Sequence, residues 1–179
     1  PGEIVGVVGE SGSGKSTLAL ALAGYTRFKG GISGGSVHFD GTDLLAASEE
    51  EVRGLRAAHM GFVFQNPITT LDPTRVVGAQ MFDPDGNRLD PARILVLLEQ
   101  VGMKDPERVI ASYPTELSGG MARRVALARS MALDPMLMLY DEPFAGLDPL
   151  SLGVIGDLMR RLNDTLGATS IVVTHDVTE

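Results

Sequence analysis

The residues best equipped for chemistry stand near the start of the chain, in Gly9-Glu10-Ser11-Gly12-Ser13-Gly14-Lys15-Ser16-Thr17. Their spacing matches G-x-x-x-x-G-K-[ST] in full. Glycines let the backbone fold tightly and aim successive N–H groups inward. A helix opening at Lys15 turns its positive end toward the same point. Such a loop grips phosphate. Lys15 supplies a point charge for the β- and γ-phosphates, and Ser16 offers a hydroxyl to Mg²⁺. Gly9, Ser11, Gly12, Ser13, Gly14, Lys15, Ser16 and Thr17 are therefore the candidate phosphate-binding residues. A merely flexible Gly/Ser turn would need neither the apolar run before it nor the Lys-Ser pair that opens a helix.

A second group lies far along the chain. Met136 to Tyr140 reads as an apolar strand running into Asp141 and Glu142. In an open parallel sheet, ligands bind beyond the carboxyl ends of the strands. Asp141 is then a candidate Mg²⁺ ligand, acting through water as hard cations prefer. Glu142 is a candidate base that orients or deprotonates an attacking water. An apolar strand followed by Asp-Glu is common by itself. Its pairing with the phosphate-binding loop is what favours chemistry over a surface turn.

The elements that must position these groups are readable from periodicity and punctuation. Ile4 to Val8 is a short apolar run and reads as a buried parallel strand. Helices are expected from Lys15 to Ala23, after Ser48, from Asp90 to near Gly102, from Ser118 to about Ala132, and from Asp148 to about Leu166. Strands are expected at Val37 to Phe39, Met60 to Phe64 and Ser170 to Thr174, the first in a small antiparallel hairpin. Residues 66–90 read mostly as loop. Asp83-Pro84-Asp85-Gly86-Asn87 hints at a calcium loop, but position 12 would be Ile94 rather than Glu, so a turn is expected. Alternating strands and helices imply an α/β fold with a mainly parallel sheet and helices on both faces.

Composition narrows the classes further. The chain has 179 residues, 44% hydrophobic, enough for one domain with a real core. Its formal charge of −8 argues against a nucleic-acid partner. There is no cysteine, which excludes disulfides and thiolate metal sites. No apolar run reaches the roughly 20 residues that span a bilayer, so any work at a membrane goes through a partner. The abrupt ends suggest a chain truncated on both sides.

Further residues carry a family resemblance. Leu117-Ser118-Gly119-Gly120-Met121 resembles the LSGGQ signature of ABC-type ATPases. Phe64-Gln65 resembles the Q-loop, Ala145-Gly146-Leu147-Asp148 the D-loop, and Thr174-His175-Asp176 the switch histidine, all in the family's order. The resemblance implies a P-loop NTPase fold over 1–179, with a small antiparallel β part and an inserted helical subdomain at about 66–133. It implies head-to-tail closure of two ATPase subunits, a homodimer or heterodimer, on ATP and Mg²⁺. Ser118, Gly119 and Gly120 would donate to the γ-phosphate bound by the other subunit. Gln65 would touch Mg²⁺ or the attacking water, His175 the γ-phosphate, and Asp148 the dimer seam. Transmembrane permease subunits are the implied partners, which would hold the protein at the cytoplasmic face of the cell membrane.

The first part, Phe64 to Pro73 with Asp105 to Arg108 and Tyr113-Pro114, resembles peptide and nickel importer ATPases. From Leu117 onward the sequence resembles the phospholipid-trafficking Mla ATPase, so a chimera or an intermediate branch is expected. Met121 departs from the usual Gln of the signature and cannot supply its amide. The adenine-stacking segment upstream of the loop, and the strands after the switch histidine, are not in the sequence. Two other functions remain open at this point: a non-transport ABC-type ATPase, or a truncated or chimeric piece that binds nucleotide weakly.

Overall fold

The computed structural model describes residues 2–10, 12–25, 34–147 and 149–175. Ser11, Asp148 and Asp176 lie outside the described residues. A four-stranded parallel sheet holds β1 (Ile4–Val8), β4 (Met60–Val63), β5 (Leu137–Asp141) and β6 (Thr169–Thr174) in the order β1-β6-β5-β4. The register runs Val8 against Thr174, Asp141 against Val173, and Val63 against Tyr140. A separate antiparallel pair joins β2 (His38–Phe39) to β3 (Thr42–Asp43).

Helices cover both faces of the sheet. Along β5, Leu137 and Leu139 join one apolar cluster while Met138 and Tyr140 join the other. That alternation is the period of two of an extended strand. It explains why β5 reads as an unbroken apolar run: both of its faces are buried. The smaller cluster takes Ala19 and Ala23 from the α1 region (Lys15–Leu22) and Val52 from α2 (Glu49–His59). The larger takes side chains from α3 (Pro91–Gln100), α4 (Pro106–Ala111), α5 (Gly119–Met131) and α6 (Pro149–Leu166).

The caps fall where the sequence places them. Ser48, Asp90 and Ser118 each accept a backbone N–H three residues on, from Glu51, Arg93 and Met121. The same signal at Asp105-Pro106 starts α4, a short helix beyond the expected set. Residues 66–90 contain more than loop. Pro67–Thr70 and Val77–Gln80 form 3₁₀ turns, tied together by Gln80, which is 4% exposed and bonds the backbone of Asp72 and Arg75. The turn at Asp83 closes on itself through Asn87 and a bridge from Phe82 to Arg88, as expected of a turn rather than a cation loop.

One expectation is overturned. β1 reads as a buried strand, yet Ile4, Val5 and Val8 are exposed. β1 stands at one edge of the sheet, but the opposite edge strand β4 is buried, so an edge by itself does not expose a strand; among the described residues β1 has only Val7 packed against an apolar cluster. An apolar run reports a strand's composition, not whether its faces are covered.

Helix α5 packs against β4, α3 and the turn at Pro67–Thr70. Its Leu127 is 1% exposed in the larger cluster. Leu127→Ala should lower stability by about 2–5 kcal/mol, through lost burial and a residual cavity. Urea denaturation followed by circular dichroism measures it, and a loss under about 1 kcal/mol would contradict this packing.

Candidate active site

The parallel order gathers the candidate groups on one rim. β1 ends at Val8 and delivers the 9–14 loop; β6 ends at Thr174 and delivers His175; β5 ends at Asp141 and delivers Glu142. Gln65 lies two residues past the end of β4 on the same rim. This is where an open parallel sheet binds ligands.

The loop folds as its glycines allow. Gly12 and Gly14 take φ of 80° and 91°, the left-handed region that a Cβ disfavours. Gly14 caps α1 with no side chain of its own to bond the first turn's donors. Lys15 is buried to 9% exposure, and its ammonium donates to the carbonyls of Gly9 at 2.7 Å and Glu10 at 2.8 Å. The lysine that opens α1 thus braces the loop before it. Ser13 N–H donates to Glu10 C=O at 3.2 Å, closing the turn. Ser16 and Thr17 are exposed in the first turn of α1.

Ser16 Oγ donates to Asp141 Oδ1 at 2.8 Å. This joins the loop to the acidic strand end across 125 residues of sequence. Both groups are hard oxygen donors of the kind that suits Mg²⁺. Among the described residues there is no group of three or more His, Cys, Asp or Glu able to hold a metal unaided.

Glu142 sits at a left-handed φ of 50°, unusual for a residue with a Cβ. Its N–H donates to Val173 C=O at 2.8 Å, and its Oε2 lies 2.7 Å from His175 Nδ1. The His175 backbone N–H points at the same oxygen from 3.4 Å. The carboxylate side chain is 12% exposed and the imidazole 49%, so the pair opens to solvent through the histidine. The preceding Tyr140 is buried, which pushes its pKa up to about 12 and keeps it neutral behind the two carboxylates.

The structure leaves other candidates apart. Gln65 is exposed and forms no hydrogen bond to Ser16, Asp141 or Glu142. Ser118, Gly119 and Gly120 are exposed at the start of α5, where Ser118 Oγ accepts from Met121 N–H at 3.3 Å. Among the described residues no hydrogen bond joins them to the phosphate-binding loop of their own chain.

A model of the ABC transporter family matches residues 1–145. The chain belongs to the ABC transporter family. Its relatives include the dipeptide transport ATP-binding protein DppD of Escherichia coli, 38% identical over 98% of this chain. The intermembrane phospholipid transport system ATP-binding protein MlaF of Haemophilus influenzae is 42% identical over 99% of it. The chain spans 56% of the first and 66% of the second, less than two thirds of either. A dimeric ATP-binding cassette solved in a post-hydrolysis state with ADP and Pi superposes with a TM-score of 0.82, at 32% identity over 98% of this chain and 76% of that one. The fold is that of an ABC ATPase, and the resemblance to both peptide-importer and Mla branches stands.

Within this ABC fold, Met121 packs against the larger apolar cluster, which suits a thioether at a position where the family's pattern has an amide. Sequence reasoning missed Arg123, which crosses from α5 to bond Ala145 C=O at 3.1 Å. Its only signal was a charged residue inside an otherwise buried helical stretch. Also unforeseen was the ring stack of Phe62 on Phe64, 5.9 Å between centroids, leading toward Gln65.

The Ser16–Asp141 bond makes a measurable claim. In a double-mutant cycle of Ser16→Ala and Asp141→Asn, the two substitutions should couple by about 0.5–1 kcal/mol in thermal stability of the ligand-free protein. Strict additivity would show that the two groups do not meet.

Proposed function

We propose that the chain binds and hydrolyses ATP as the energy-coupling subunit of an ABC transporter. The observation that carries this reading is the Ser16–Asp141 bond at 2.8 Å, which sets the phosphate-binding loop beside the acidic strand end. In this reading residues 9–17 cradle the phosphates, with Lys15 turning from the Gly9 and Glu10 carbonyls toward the β- and γ-oxygens. Ser16, Asp141 and Gln65 would hold Mg²⁺, which neutralises charge on the phosphates when bound. Glu142 orients the attacking water and accepts its proton as the γ-phosphoryl passes to that oxygen and ADP leaves. His175, within bonding distance of Glu142, steadies this carboxylate and faces the γ-phosphate.

Ser118, Gly119 and Gly120 lie exposed, which supports their donating to nucleotide on a second ATPase subunit closed head to tail. Small residues let the start of α5 approach a phosphate closely. The chain would act as one ATPase domain, with about 66–133 as its helical subdomain. Among the described residues no helix is long and apolar enough to cross a membrane. Attachment to the inner face of the cell membrane would therefore come through permease subunits. The names of the relatives point to a peptide or a phospholipid as the transported class.

Steady-state phosphate release tests the proposal. Glu142→Gln should slow turnover by at least about 100-fold while Mg-ATP binding, read by calorimetry, survives. The rate per chain should rise with protein concentration as dimers form. A Gln variant as fast as the parent removes Glu142 as the base.

A further inference from the structure

Arg123 lies on α5 five residues after Ser118 and is 6% exposed. A guanidinium remains charged at physiological pH, and burying it is unfavourable unless its N–H groups find acceptors. Nη2 donates to Ala145 C=O at 3.1 Å, whereas Nε is buried without a partner. An apolar side chain would fill this volume without the desolvation penalty. The turn that Arg123 holds is already anchored by apolar contact, since Phe144 and Leu147 pack against the larger cluster. What the guanidinium adds is direction.

That direction bears on Glu142. Ala145 N–H donates to Glu142 C=O at 3.2 Å, and its own carbonyl accepts from Arg123. The Ala145 residue is thus clamped on both sides. The clamp matters because Glu142 adopts φ of 50°, which a non-glycine residue keeps only when its surroundings over-determine it. On the other side Glu142 N–H is fixed to Val173. Release of the 143–147 turn would leave one of these two restraints.

We propose that Arg123 is a positioning residue for Glu142: it fixes the 143–147 turn, and so ties the Glu142 carboxylate to the helix whose first residues follow Ser118. The inference rests on the ATPase reading for its consequence in turnover, but its structural part stands independently. It also links two sites within one chain. A shift of α5 on engagement of Ser118 would be felt at the Glu142 backbone through a single side chain.

The test uses Arg123→Met and Arg123→Lys in the full chain, each alone and combined with Glu142→Gln. Phosphate release, melting temperature and amide hydrogen exchange over 142–147 are measured. Arg123→Met should lower kcat on the order of tenfold with KM for ATP changed by less than about twofold, since geometry and not binding is lost. The melting temperature should hold or rise, because a buried charge is removed. Arg123→Lys, with a shorter reach but a donor, should recover part of kcat. In the Glu142→Gln background Arg123→Met should have no further effect, as expected of residues that act as a unit. Exchange over 142–147 should quicken.

An equal loss in both backgrounds would overturn the proposal, as would unchanged exchange over 142–147. If Arg123→Met does not fold, Arg123→Lys carries the same comparisons. If the parent chain releases no phosphate, the ATPase reading fails, while exchange over 142–147 still decides whether Arg123 holds the turn.

Discussion

The Ser16 hydroxyl and the Asp141 carboxylate meet at 2.8 Å although 125 residues separate them in the chain. Nothing local brings them together. The meeting requires β1 and β5 to run parallel with β6 between them, so that both strands end on the same rim. It also requires α1 to pack across β5 and β6, which sets the height of its first turn against the strand ends. Each parallel connection has to be long enough to return over the sheet, and the helices that do so supply the two apolar clusters. The site is thus a consequence of the sheet's order.

Burial is graded around that site. Asp141 is half-buried, Ser16 and Thr17 are exposed, and the lysine between the loop and the helix is nearly enclosed. Lys15 keeps its charge satisfied by two carbonyls of the loop itself, so the enclosed cation needs no carboxylate partner.

The 142–147 turn shows the opposite strategy. There a non-glycine residue is placed in a left-handed conformation and held by its neighbours: Val173 from the sheet, Ala145 within the turn, and Arg123 from α5. Strain of this kind survives where packing over-determines the backbone. Phe144 and Leu147 provide that packing. The chain therefore uses glycines for positive φ in the 9–14 loop and side-chain restraints for it in the 142–147 turn.

The sequence alone determined the local features, because their causes are local. Gly12 and Gly14 mark positive φ, Ser48, Asp90 and Ser118 mark helix starts, and the run before Asp141 marks a strand buried on both faces. The order of the motifs was enough to place the chain in its family. Tertiary structure alone decided which strand faces are covered, since the apolar residues of β1 and β5 look alike while those of β5 are buried and most of those of β1 are exposed. It decided that Gln80 knits the 67–80 turns together and that Arg123 crosses to Ala145. Those outcomes depend on which elements become neighbours, a property of sheet order and helix packing that no window of the chain contains.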